Sequence, residues 1–253
     1  MTRGILQGGL GNYMFQVAAT YAHSVENDTE PVFCFEDAFQ AQNHIGTYSD
    51  NIFSKLTVDC TRRGSLYYKE PYFHYSKIPM GDDLVINGYF QSEKYFAMHR
   101  SSILDLFGPT KKIEAYINSK YGNLLDGDTC SIHVRRGDYL SLSENHPVLD
   151  IGYYRSAMKK LYNPKFLIFS DDIQWCRENF KGPSFTFIQE KDYIDLYIMS
   201  MCKDNIIANS SFSWWGAWLN NNPHKKVIAP KTWFGPALNH NLMDLRPKTW
   251  NLI

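Results

Sequence analysis

Apolar and polar positions divide the chain into two differently patterned stretches. In the second stretch, short apolar runs at 130–135, 166–170, 184–188, 205–208 and 227–229 are separated by segments with helical spacing at 152–161, 171–180, 193–202 and 213–221. Short runs of apolar, β-branched or aromatic residues read as buried strands, and apolar positions three and four apart read as helices. Their alternation predicts a parallel sheet of about five strands with crossover helices.

The first stretch opens in the same way and then loses its pattern. A brief apolar run at 4–7 leads into Gly8-Gly9-Leu10-Gly11-Asn12, after which Met14, Val17, Ala18, Tyr21, Ala22 and Val25 recur at helical spacing. This is strand, turn and helix, with Asn12 read as the helix N-cap. A second strand is expected at 31–35 and a strong one at 84–90. A helix is expected from 91 to about 107, ended by Gly108-Pro109, and another runs from a Thr110 cap to Tyr121. Between 36 and 80 no period survives, so loops, short helices and weak strands are expected. Tyr67, Tyr68, Tyr72, Phe73, His74 and Tyr75 cluster there, either as core packing or as faces for stacking on sugar C–H surfaces. The polar, glycine-bearing stretch 122–128 reads as a hinge, giving domains 1–125 and 126–253, with the last residues able to pack back on the first domain.

Composition narrows the function classes. Lys+Arg and Asp+Glu both number 26 in 253 residues, which argues against a nucleic-acid binder relying on bulk positive charge. With 44% apolar and 21% charged residues, the chain is that of an ordinary soluble globular protein. No apolar segment approaches membrane-spanning length and the N-terminus lacks an apolar signal core, so a soluble, cytoplasmic protein is expected. Cys34, Cys60, Cys130, Cys176 and Cys202 are odd in number, widely spaced and form no C-x-x-C pair. They read as free thiols in a reducing compartment, and a zinc site is not expected.

The chemistry concentrates at predicted strand ends. The run at 130–134 delivers His133 and Arg135 to one face and Arg136 to the other, followed by Gly137 and Asp138. A guanidinium can fork two oxygens, which suits a phosphate-bearing ligand; a solvated Arg pair beside a turn is the alternative. Asp171 and Asp172 follow the next strand, as ribose or base ligands or as a helix cap. Asn209, Ser210, Ser211, Phe212 and Ser213 precede the Trp214 helix, as a phosphate-binding helix start or as N-capping by Ser211 or Ser213. In a parallel sheet these strand ends share one edge, so they converge. Gly8, Gly9, Gly11 and Asn12 form either a ligand loop or a tight strand-to-helix turn.

These motifs together resemble the α-1,2-fucosyltransferases of glycosyltransferase family 11. The resemblance rests on the turn at 8–12 followed by Met14-Phe15-Gln16, on Gly88-Tyr89-Phe90-Gln91-Ser92-Glu93-Lys94, on His133-Val134-Arg135-Arg136-Gly137-Asp138, on Phe169-Ser170-Asp171-Asp172, and on 207–216 with its Trp214-Trp215-Gly216. Tyr13 stands where the family usually has Gln. The resemblance implies a GT-B-like arrangement of two Rossmann-type domains facing across a cleft, with the first on the acceptor side and the second binding the donor. It implies transfer of fucose from GDP-fucose to the 2-hydroxyl of a galactose-containing glycan, with inversion and without a divalent metal. No membrane anchor like that of the animal members is expected, so the chain resembles a microbial- or viral-type soluble enzyme.

By the same resemblance, Arg135 opposes the donor pyrophosphate, with His133 and Asp138 beside it as catalytic candidates. Residues 8, 9, 11, 12, 171, 172 and 209–213 contact the donor, and Glu93 and His146 are acceptor-side candidates. Asp138, His146 and Glu93 are the candidate bases. Another fucosyl linkage, α-1,6 or protein O-linked, and a non-catalytic sugar- or nucleotide-binding protein are the alternative functions.

Overall fold

The computed structural model describes residues 1–39, 44–162 and 164–253, so the 40–43 part of the unpatterned stretch lies outside the described residues. The chain forms two compact units, Met1–Thr110 with His240–Pro247 and Lys111–Asn239 with Lys248–Ile253. The division falls ahead of the expected hinge. Lys111–Leu125 is one uninterrupted helix through Gly122, and it belongs with the second unit.

The first unit contains β1 (Thr2–Gly4), α1 (Leu10–Glu26), β2 (Pro31–Phe33), β3 (Leu66–Lys69), β4 (Leu84–Asn87) and α2 (Arg100–Leu106). Its sheet is parallel throughout, in the order β2-β1-β4-β3. The N-cap of α1 is Gly9, not Asn12. The chain turns at Gly8 (φ 91°) and is helical from Leu10, so Asn12 already lies in the first turn, with its N–H on Gly9 O at 2.9 Å. The expected helix from 91 to 107 is also broken: two 3-10 turns, Glu93–Tyr95 and Ala97–His99, precede α2. The break lies at Phe96, whose backbone (φ −145°, ψ −2°) leaves the helical region between the two turns.

Cys34 and Cys60 form a disulfide, against the expectation of free thiols, while Cys130, Cys176 and Cys202 are free and buried. An isolated parallel bridge between Phe33 and Val58 brings the two segments together, leaving the Cα atoms of Cys34 and Cys60 4.7 Å apart. That tertiary pairing leaves no mark in the cysteine spacing, and it removes the spacing argument for a reducing compartment. Replacing both cysteines by serine is expected to cost about 2–4 kcal/mol, read as a lower denaturant midpoint. A reductant should lower the wild-type midpoint and leave the double variant's unchanged.

The second unit contains α3 (Lys111–Leu125), β5 (Thr129–Val134), α4 (Ile151–Met158), β6 (Lys165–Ser170), α5 (Ile173–Asn179), β7 (Phe185–Ile188), α6 (Asp192–Met201), β8 (Asp204–Ile206), α7 (Ser211–Leu219), β9 (Val227–Ala229) and β10 (Asn251–Leu252). Its sheet is parallel, in the order β10-β9-β8-β5-β6-β7. The two-residue edge strand β10 has no pattern in the sequence and adds a sixth strand. Every residue of β5 is buried, and Ile132, Val134, Ile168, Ile206 and Ile228 share one core with Tyr154 and Phe180. The chain fills β5, β6 and β7 outward, then returns to place β8 on the other side of β5. Strand order therefore reverses between β5 and β8, and in open parallel sheets a crevice opens at such a switch point, beyond the carboxyl ends. Among the described residues, no helix is long and apolar enough to cross a membrane.

Candidate functional site

Register brings the predicted site residues of the second unit together. Val134 pairs with Ser170, which sets the residues after β5 beside those after β6. Ile132 pairs with Ile206, which sets them equally beside the segment leading into α7. Arg135 and the start of α7 thus flank the switch point.

Arg135 is held on three sides. Its Nη2 lies 2.8 Å from Asp138 Oδ1, its Nη1 lies 3.1 Å from Asp171 Oδ2, and its guanidinium sits 5.4 Å from the Tyr139 ring centroid. Asp171 Oδ1 also accepts the Arg136 N–H at 2.9 Å. A Cβ on Gly137 would come within 2.7 Å of Asp171 Oδ2, so the absence of a side chain there lets the carboxylate approach. Arg136 points away, to Asp172 Oδ2 at 3.0 Å and over the Trp175 ring at 4.3 Å. Asp172 is the N-cap of α5, accepting Trp175 N–H at 3.1 Å. Both aspartates are thus engaged inside the protein. Asp171 fixes the arginine loop, and Asp172 caps a helix, the second of the two roles expected of this pair.

Across the switch point, α7 begins at Ser211 with Ser210 as N-cap, and the cap makes no side-chain hydrogen bond. Neither Ser211 nor Ser213 is the cap. Ser213 Oγ donates back to the carbonyls of Ala208 and Ser210, both at 3.3 Å. Asn209 Nδ2 donates to Pro147 O (2.9 Å) and Trp233 O (3.0 Å), which anchors the segment. Tyr139 donates its hydroxyl to Asn209 O at 2.9 Å, tying the arginine loop to the start of α7. The first N–H groups of a helix have no intrahelical partner and carry the positive end of its dipole.

His133 is buried on β5 with its ring 5.3 Å from Phe212. Burial, reinforced by the Arg135 charge, pushes its pKa down to about 3, so it is neutral at pH 7 and offers hydrogen bonds rather than charge. Its buried Nδ1 has no hydrogen-bond partner. His146 stacks on Tyr139 at 4.7 Å and lies 5.6 Å from Phe234. Burial lowers its pKa too, leaving a neutral ring able to accept a proton.

The first unit gathers its own set at the carboxyl edge of its sheet. Asn12 Oδ1 accepts from Gln91 Nε2 at 2.9 Å, linking the turn after β1 to the segment after β4. Glu93 sits in the 3-10 turn that follows, its charge acting on the half-buried Arg100. In the aromatic cluster Tyr67 and Tyr72 are exposed, and Tyr72 stacks on His74 at 5.1 Å.

Sequence reasoning overlooks two residues. Tyr139 directly follows the 133–138 motif but carries no spacing signal for its bond to Asn209. Glu70 is a half-buried carboxyl in the unpatterned stretch, and an acid amid tyrosines is its one signal. Among the described residues, Cys34, Glu36 and Cys60 are the one group of ligand-type side chains close enough to share an ion, and both thiols are joined in the disulfide.

The Glycosyl transferase family 11 model matches residues 5–253. An alpha-1,2-colitosyltransferase of Escherichia coli is 32% identical, over 97% of this chain and 96% of that protein. The O-antigen biosynthesis glycosyltransferase WbnK, also of Escherichia coli, is 28% identical, over 97% and 98% respectively. Galactoside alpha-(1,2)-fucosyltransferase 2 of Bos taurus is 26% identical, over 68% and 59%. Among solved structures, the NodZ alpha-1,6-fucosyltransferase soaked with GDP-fucose superposes with a TM-score of 0.56 at 14% identity, over 86% of this chain and 91% of that one. This likeness places the two parallel α/β units in the GT-B-like fold class. With the family model matched from residue 5 to the last residue, the chain belongs to glycosyltransferase family 11.

Proposed function

We propose that the protein transfers L-fucose from GDP-fucose to the 2-hydroxyl of a galactose-containing glycan, inverting the anomeric centre and needing no divalent metal. One observation carries the reading. A fixed guanidinium, the uncapped start of α7 and the unpartnered Nδ1 of His133 are gathered at the strand-order switch of one sheet. That combination suits a diphosphate.

In the proposed step the acceptor oxygen bonds to the anomeric carbon from the face opposite the nucleotide. The bond from that carbon to the β-phosphate oxygen breaks, its electron pair leaves with GDP, and the hydroxyl proton passes to a base. Asp138 and the neutral His146 are the candidate bases of the second unit, and Glu93 that of the first. Charge grows on the leaving diphosphate, so donors aimed at it bind more tightly in the transition state than in the ground state. Arg135 supplies the charge, and Ser210, Ser211, Phe212 and Ser213 supply backbone N–H and hydroxyl groups. His133 supplies a neutral hydrogen bond. Gly8 and Gly9 shape the turn into α1, where Gly11 offers a first-turn N–H and Asn12 its carboxamide nitrogen to sugar hydroxyls. Asp171 and Asp172 act behind the arginines.

The test is GDP release from GDP-fucose with galactosides as acceptors, followed by linkage analysis of the product. The expected outcome is acceptor-dependent release, an α-1,2 product and a rate unchanged by a chelator. Binding of GDP-fucose without turnover, an α-1,6 product, or loss of activity with chelator and its recovery with a divalent ion would each overturn the corresponding part. The relative named for α-1,2-colitosyl transfer favours a second donor, a nucleotide-activated colitose. The two donors compared at equal concentration decide between them by kcat/KM.

A further inference from the structure

We infer that Glu70 is a positioning residue. As an anion, it clamps the segment 88–93 into the turn that presents Gln91 at the carboxyl edge of the first unit. The inference rests on the reading of that edge as the saccharide-facing one.

Glu70 directly follows β3, on the strand beside β4. Its Oε2 accepts the N–H groups of Tyr89 at 2.7 Å and Phe90 at 3.0 Å, and its Oε1 accepts from Phe90 N–H at 3.2 Å and Tyr95 hydroxyl at 3.3 Å. A Cβ on Gly88 would collide with the Glu70 side chain, so the carboxylate lies directly against the turn. Phe90 has φ 50°, the left-handed region that a bulky residue adopts only when its surroundings impose it. Ser92 N–H bonds Phe90 O at 2.7 Å, closing the turn, and the next side chain along, Gln91, reaches Asn12. Glu70 is therefore the counterpart that holds a strained backbone in place.

The donor set matches the ionised form. All of its partners are N–H or O–H groups, and the Tyr95 hydroxyl already accepts Ser76 N–H at 3.1 Å. A proton on Glu70 would have only that crowded oxygen to bond. Burial opposes ionisation and pushes the pKa up to about 7, partly offset by the bonds from Phe90, Tyr89 and Tyr95. The ionisable groups facing it are Tyr95 and Tyr68, with Tyr75 packed on Tyr95 at 4.8 Å. Lys69, next to Glu70 in the chain, is exposed at the end of the edge strand, and Lys94 is directed to Asp244 at 2.5 Å and over the Tyr75 ring. Raising the pH through about 7 thus creates the anion that grips the turn.

The experiment compares wild type with Glu70→Gln and Tyr95→Phe by amide hydrogen exchange, GDP titration and kcat/KM across pH. In Glu70→Gln, exchange at the amides of residues 89 and 90 should accelerate by about tenfold or more, with other segments unchanged. GDP affinity should stay within about twofold, because GDP is assigned to the other unit. Transfer kcat/KM should fall by about tenfold or more, from a displaced turn. In wild type kcat/KM should rise with pH and level off above about 7, and this rise should vanish in Glu70→Gln. Tyr95→Phe removes one bond to the ion and should move the rise to higher pH. Unchanged exchange at residues 89 and 90 in Glu70→Gln overturns the inference, as does a pH rise retained in that variant. If the wild type transfers no sugar from any donor, the proposed function fails, and amide exchange alone then decides the clamp.

Discussion

Replacing Arg135 by lysine is expected to lower kcat/KM by several hundredfold while leaving the fold intact. Arg135 is gripped by Asp138 at 2.8 Å and Asp171 at 3.1 Å, and its plane rests near the Tyr139 ring. That mounting keeps a planar, permanently charged fork in one orientation, so little reorganisation is needed when charge builds on the leaving diphosphate. An ammonium keeps the charge but loses the fork, the ring contact and one of the two carboxylate bonds. Losing a donor of this kind costs about 3–4 kcal/mol in transition-state stabilisation, which is a few hundredfold or more in rate. Steady-state kinetics with circular dichroism as the fold control measure it. A folded Arg135→Lys enzyme within about tenfold of wild type would remove the guanidinium from the mechanism.

Trp214→Ala is expected to destabilise the fold by about 3–5 kcal/mol. Trp214 is fully buried on α7, stacked on Trp218 at 6.1 Å, edge-on to Trp215 at 5.2 Å and against Trp250 at 5.4 Å. Truncation removes one face of that cluster and leaves a cavity that the remaining rings cannot close. For a chain of this size the loss corresponds to a fall in Tm of about 6–20 °C. Because the same helix begins at Ser211, activity should fall along with stability. Trp214→Phe, which keeps a ring, should recover most of both. A Tm within about 2 °C of wild type for the alanine variant would mean that the cluster is not what fixes α7.

Legibility in the sequence follows the length of the pattern. β5 and β6 are readable because each is a run of buried residues bounded by polar ones, and in a sheet covered on both faces apolarity itself marks the strand. The convergence of Arg135, Asp171 and residues 209–213 follows from parallel topology alone. The switch between β5 and β8 does not, because strand order is set by tertiary pairing. β3 is hidden because it is an edge strand with three exposed residues and shows no alternation. β10, at two residues, is too short to carry any period. The disulfide is hidden because a bridge between Phe33 and Val58, distant in sequence, creates it. Asn12 is misread as a cap because Asn is the stronger capping type, whereas the turn at Gly8 starts the helix at Leu10, and its bond to Gln91 is invisible without the fold. Glu70 illustrates the general difficulty: a carboxyl in a patternless stretch gives no hint that three backbone and side-chain donors close around it.

The most direct measurement is a crystal structure of the protein with GDP, grown in the presence of a chelator. The diphosphate should lie between the Arg135 guanidinium and the N–H groups that open α7, with the His133 ring within hydrogen-bond reach. GDP seated against the turn at 8–12 in the first unit, or Arg135 still bound only to Asp138 and Asp171 with the phosphates elsewhere, would contradict it.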